Sequence, residues 1–94
     1  MKHTKKHLIG VIMDGICDTD MIGTYAEEAL SEGEEKFASW FAVRAKERLA
    51  TLRRDWSEVE SALKLKEHSD ELVQGMTCHV EKEIERLRAR IEKM

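Results

Sequence analysis

The fold of this chain is decided by residues 38–94, which read ASWFAVRAKERLATLRRDWSEVESALKLKEHSDELVQGMTCHVEKEIERLRARIEKM. Steps of alternating three and four residues lead from Ala38 to Met94 through seventeen positions, and fourteen of these hold apolar residues. This spacing is the heptad pattern of helices that pack along their length. The stretch therefore predicts an all-α protein with a long helical hairpin or coiled-coil spine over about residues 34–93.

The heptad pattern leaves open where the spine turns. We call these seventeen positions the heptad seam. Two successive seam positions hold Lys66 and Asp70, and adjacent buried charges are costly unless they are paired. A turn near His68 would place both charges in water, with Ser69 as the cap of the next helix. The unbroken heptad phase favours one continuous helix instead, and capping motifs around Arg54 offer an earlier break.

The N-terminal third predicts a shorter helical part packed against the spine. Apolar residues recur every four positions from Leu8 to Ile16, but two glycines weaken a helix there, so a buried strand is the alternative for residues 8–13. Thr24 and Glu27 form a capping box, and the next helix is therefore expected to begin at Asp20 or Thr24.

The end of that second helix is also marked in the sequence. Gly33 can close the helix because glycine tolerates the left-handed conformation. Ser31 and Glu34 form another capping box, which predicts the start of the following helix. We expect the apolar face between residues 21 and 30 to pack over three aromatic residues of that helix. These are Phe37, Trp40 and Phe41.

Length and composition indicate a single helical domain over residues 1–94, with residues 1–7 as a basic tail. The chain is 37% charged and has no proline, which is typical of long helices. Cys17 and Cys78 have no disulfide or metal-motif spacing, which favours a reducing cytoplasm. No apolar run approaches the roughly 20 residues of a membrane span. We therefore expect a cytoplasmic protein without a membrane partner.

An acidic segment is the first candidate interaction surface. Residues 14–35 contain eight acids and no bases, and such a field can steer a basic partner. The expected contact residues are Asp18, Asp20, Glu27, Glu28, Glu32, Glu34 and Glu35. The favoured function is therefore non-enzymatic: an adaptor or inhibitor that engages a basic groove of a larger protein. Phage and plasmid accessory proteins are often of this size and class.

A basic stretch supports a second hypothesis, a helical dimer that binds nucleic acid. Residues 44–54 hold five bases against one acid, and Trp40 lies one turn earlier, where it could stack on a base. The five bases are Arg44, Lys46, Arg48, Arg53 and Arg54. The favoured interpretation of the same bases is that they neutralise the acidic segment within the molecule.

The last helix supports a third hypothesis, a structural or assembly protein whose coiled coil is its function. With Ile84 and Ile91 at heptad position a, Leu87 falls at position d, the pattern of parallel dimers. These three residues therefore predict self-association as a homodimer.

Residues for catalysis or metal binding do not occur in productive patterns. A di-iron helical bundle needs Glu-x-x-His motifs, and none of the four histidines has an acid three positions before it. Cys78 and His79 are adjacent, so on a helix their side chains point about 100° apart. The sequence predicts no enzyme, no cofactor and no metal site.

Overall fold

The computed structural model describes residues 5–64 and 70–94, which form three α-helices. Helix α1 is Lys5–Ser31, α2 is Glu35–Leu63 and α3 is Glu71–Ile91. The described residues contain no strand, so the all-α prediction is confirmed and the strand alternative for residues 8–13 is wrong. At 27 residues, α1 is nearly as long as α2, which has 29.

The three helices run up, down and up. Helices α1 and α2 form an antiparallel hairpin, because Asp18 contacts Arg48 while the later Tyr25 contacts the earlier Phe41. Helix α3 returns alongside α1, and its Arg90 hydrogen bonds to α1 near the end of both helices. The hairpin with the most extensive contacts therefore consists of α1 and α2, whereas the sequence predicted it within residues 34–93, and α1 packs against both other helices.

Helix α1 is continuous through every break that the sequence suggested. It begins at Lys5, within the predicted tail, and residues 1–4 lie outside the described part of the chain. The predicted start at Asp20 or Thr24 is wrong, since both residues lie inside α1. A buried stripe explains why α1 is continuous. Packing of this one apolar face stabilises the helix by more than its glycines destabilise it, which is about 1 kcal/mol for each glycine. The stripe includes Ile9, Ile12, Ile16, Thr19, Gly23 and Ala26.

The turn between α1 and α2 depends on Gly33, as predicted. Gly33 has a φ of +77°, and the amide of Glu34 donates to the Ala29 carbonyl at 2.9 Å. This bond and a second one from Gly33 to Leu30 form a Schellman motif. The predicted capping box is wrong, because Ser31 is the last residue of α1 and Glu34 makes no side-chain cap bond.

Helices α2 and α3 are separate. Helix α2 ends at Leu63 and is followed by Lys64 in the left-handed conformation, so one continuous helix and a break near Arg54 are both wrong. The side chain of Asp70 caps α3 by accepting from the Leu72 amide at 2.9 Å. The predicted turn around His68, together with Lys66 and Ser69, lies outside the described residues.

The heptad seam forms the intramolecular core with α1. Its buried members are Ala38, Ala45, Leu49, Leu52 and Trp56 on α2, and Val73, Thr77, Val80, Ile84, Leu87 and Ile91 on α3. The predicted self-association residues thus belong to this core, with Leu87 and Ile91 fully buried. An apolar stripe packs against any apolar helix that reaches it first, and here that helix is α1. These side chains are therefore not accessible as a dimer seam.

Candidate interaction surface

Three of the seven predicted contact acids are used within the molecule. Asp18 on α1 forms an ion pair with Arg48 on α2. Asp20 accepts from Arg90 of α3, and Glu27 accepts from the same guanidinium at 2.9 Å. These carboxylates hold the helices together, so they are poorly placed to bind a partner.

Arg90 is the centre of this network. Its guanidinium also donates to the Thr24 hydroxyl at 2.9 Å, and its side chain is only 23% exposed. Hydrogen bonds from Arg90 hold the pKa of the Glu27 carboxyl below its usual value, against a smaller opposing effect of desolvation. The network ties the last turn of α3 to α1.

The other predicted acids gather at the α1–α2 turn. Glu28, Glu32 and Glu34 line a shallow pocket of about 340 Å³, whereas Glu35 is exposed outside it. Within residues 5–64 and 70–94, none of the three pocket acids has an ion-pair partner. Their charge is therefore directed at solvent.

The remaining walls of this pocket are aromatic. Tyr25 and Phe41 meet with ring centroids 5.6 Å apart, and Phe37 lines the same pocket. Trp40 extends the cluster with an edge-to-face contact to Phe41 at 5.4 Å. We call these residues together the acidic–aromatic surface. It comprises Tyr25, Glu28, Glu32, Glu34, Phe37, Trp40 and Phe41.

The aromatic rings of this surface are much more exposed than the sequence predicted. Phe37 is 60% exposed, Trp40 54% and Tyr25 44%, whereas the small residues Ala26, Ala29, Ala38 and Ala45 of the same two helices are buried. Sequence reasoning assigned these rings to helix packing, with only Trp40 considered also as an accessible stacking residue, and so missed them as one surface. The available signal was their position: Phe37, Trp40 and Phe41 all lie off the heptad seam.

The basic residues proposed for nucleic-acid binding do not form an open patch of charge. Four of the five have a carboxylate within 4.0 Å, and only Lys46 has no ion-pair partner in the described part of the chain. The paired residues are Arg44 with Glu47, Arg48 with Asp18, Arg53 with Glu92 and Arg54 with Asp55. The structure thus favours neutralisation of these bases within the molecule.

A larger groove of about 670 Å³ lies between the end of α3 and the α1–α2 hairpin. Its floor is mainly alanine, and its wall includes Arg86, Arg90 and Lys93. Both arginines already pair with Asp20, and Arg90 pairs with Glu27 as well. Since most of its charge is matched internally, this groove offers less to a charged partner than the acidic–aromatic surface does.

Other chemistry does not converge in the described structure. Across residues 5–64 and 70–94, no three His, Cys, Asp or Glu side chains are arranged to hold a metal ion. No described helix has both the length and the hydropathy needed to cross a membrane. No family model, curated protein or solved structure matches this chain. The functional conclusion therefore depends on the geometry of the acidic–aromatic surface.

Proposed function

We propose that this protein acts without catalysis, by binding a larger protein partner through the acidic–aromatic surface as an adaptor or inhibitor. The observation that carries the proposal is the exposure of three neighbouring aromatic rings, Tyr25, Phe37 and Trp40, beside unpaired carboxylates. Exposed apolar patches rimmed by polar residues commonly mark protein interaction sites.

Aromatic residues suit the centre of an interface. Tyrosine and tryptophan supply large, rigid contact areas and are enriched among residues that dominate binding energy. In this protein the rings are held by neighbours, since Phe41 contacts both Tyr25 and Trp40. A partner would therefore meet a preformed surface and lose little conformational entropy in ordering it.

The charge of the surface indicates what kind of partner fits. Glu28, Glu32 and Glu34 lie at one end of the hairpin, and none of the described residues that line their pocket is basic. A basic surface on the partner would complement these acids, speed the encounter and exclude acidic competitors. The proposed partner is therefore a protein with a basic, partly apolar binding groove.

Affinity capture from the native host, compared across surface variants, tests this function. The tagged protein should retain a partner that is lost from Glu28→Lys/Glu32→Lys and from Phe37→Ser. Matched controls are Glu58→Lys and Val43→Ser, which change an exposed acid and a 51% exposed valine of α2 outside this surface. Circular dichroism should show that all variants remain helical. Equal retention by surface and control variants would refute the proposal.

A further inference from the structure

Within the acidic–aromatic surface, we infer that the pocket at the α1–α2 turn receives a single arginine side chain of the partner. This inference rests on the proposed function and names the chemistry by which that surface recognises its partner. The pocket combines the two features that a guanidinium needs, which are aromatic walls and carboxylate acceptors.

The aromatic walls suit the flat face of a guanidinium. Tyr25, Phe37 and Phe41 line the pocket from two helices, and the Tyr25 and Phe41 rings are inclined by 51° to each other. The electron-rich face of an aromatic ring attracts a cation, and these three rings line the space that the cation would enter. The pocket volume of about 340 Å³ leaves room for one long side chain.

The carboxylates lie where the charged end of such a side chain would sit. Glu28 lies in the last turn of α1, Glu32 follows that helix one turn later, and Glu34 joins them from the α1–α2 turn. All three are without an ion-pair partner in the described ranges, so an incoming cation displaces no existing pair. Carboxylates accept from guanidinium in two parallel hydrogen bonds, which a neutral side chain cannot reproduce.

The same molecule already uses both contacts elsewhere. The Arg44 guanidinium lies 4.8 Å above the Trp40 ring, on the aromatic cluster that borders the pocket. Arg90 binds Glu27 through two parallel bonds of 2.9 and 3.0 Å. Arginine fits better than lysine, because a planar guanidinium can stack on a ring while it donates in its own plane.

Nuclear magnetic resonance titration of the full chain tests the pocket with three small probes. These are N-acetyl-arginine methylamide, its uncharged isostere N-acetyl-citrulline methylamide, and N-acetyl-lysine methylamide. The arginine probe should shift the ring signals of Tyr25, Phe37 and Phe41 with a Kd of roughly 10–50 mM, typical of a single side chain. Citrulline should bind at least about fivefold more weakly, because it lacks the charge.

Variants establish which groups carry the binding. Glu32→Gln should weaken the arginine probe about threefold or more, whereas the control Glu58→Gln should leave binding unchanged. Phe37→Ala should also reduce binding of the arginine probe. If Phe37→Ala fails to fold, the comparison of Glu32→Gln with Glu58→Gln still tests the inference. Equal shifts with citrulline, stronger binding of lysine, or no shift at about 100 mM would each overturn the inference.

The two proposals fail in different ways. If arginine leaves the rings unshifted while Glu28→Lys/Glu32→Lys still loses the captured partner, the arginine pocket is wrong and the interaction function stands. If arginine binds but every surface variant retains the partner, the interaction function is wrong.

Discussion

Arg90 of α3 and Glu27 of α1, 63 positions apart in the sequence, form a two-bond ion pair that fastens the last turn of the chain to the first helix. The same guanidinium reaches Thr24 and Asp20, one and two turns earlier on α1. One arginine therefore joins α3 to three residues of α1, directly beside Ile91, the last buried residue of the apolar seam on α3.

This pair predicts a specific dependence of stability on pH. Hydrogen bonds from Arg90 lower the pKa of Glu27 in the folded state, so the stabilisation is complete above the ordinary carboxyl pKa of 4.5. It is lost as the pH falls through the lowered folded value. Arg90→Gln should thus reduce the free energy of unfolding at pH 7 by at most about 1 kcal/mol, with the difference from wild type shrinking below about pH 4.

Urea denaturation between pH 3 and 7 measures this difference. Arg54→Gln is the control, since Arg54 is 69% exposed and lies 4.0 Å from its only recorded carboxylate partner. It should match wild type at every pH. An Arg90→Gln deficit that stays constant from pH 7 to pH 3 would show that the lost stability does not come from the pair.

The core position of Leu87 gives a second prediction, which also concerns oligomeric state. Leu87 is fully buried within one chain, so Leu87→Ala should lower the free energy of unfolding by about 2–5 kcal/mol. Leu72→Ala removes the same atoms from a side chain that is 53% exposed and should cost less than about 0.5 kcal/mol.

Thermal unfolding at several protein concentrations distinguishes the core from a dimer seam. Because these contacts are intramolecular, the Tm of wild type and of Leu87→Ala should not change with concentration. A Tm that rises with concentration in wild type, and less in Leu87→Ala, would place this leucine at an interface between chains.

The position of Leu87 shows which part of the fold could be predicted from sequence. The heptad spacing identified the buried face of α2 and α3, because side chains three and four apart share one side of any helix. It could not identify the neighbour that covers this face. An apolar stripe with Ile84, Leu87 and Ile91 fits a second copy or another helix of the same chain equally well, and only tertiary packing decided for α1.

The acidic–aromatic surface was predicted only in part, because contacts between residues far apart in the sequence decide which acids stay unpaired. The acidic composition of residues 14–35 is visible in the sequence, but the pairing of Asp18 with Arg48, 30 positions away, depends on the antiparallel hairpin. Once such pairs are formed, most of the acids left over are those at the turn, beside Phe37. The 60% exposure of that ring depends on how α1 and α2 pack against each other, which no local pattern specifies.

The two left-handed residues at helix ends predict effects of opposite sign. Gly33 has a φ of +77°, where a side chain costs about 1–2 kcal/mol, so Gly33→Ala should destabilise by about 1 kcal/mol. Lys64 has a φ of 51° and carries this strain already, so Lys64→Gly should be neutral or stabilise by about 0.5 kcal/mol.

Chemical denaturation of both variants provides the measurement. The contrast between them serves as the control, because each exchanges glycine and a side chain at the end of a helix. Destabilisation by Lys64→Gly as large as that by Gly33→Ala would mean that the backbone conformation at Lys64 is not left-handed in solution.

The glycines inside the helices give a final prediction that depends on space. Among the described residues, and apart from its chain neighbours and the backbone of its own helix, a methyl group at Gly10 or Gly75 would meet no atom within 4 Å. Alanine at either position should therefore stabilise by about 0.5–1 kcal/mol through helix propensity. At Gly15 the added carbon would lie 3.1 Å from Cδ1 of Leu52, a buried core residue that must shift to make room. Gly15→Ala should therefore stabilise the protein less than Gly10→Ala in the same helix, or destabilise it.

For a domain of this size, 1 kcal/mol corresponds to a Tm change of about 4–8 °C, which calorimetry resolves easily. An equal rise in Tm for both variants would show that α1 and α2 are farther apart at this crossing than the Gly15–Leu52 contact requires.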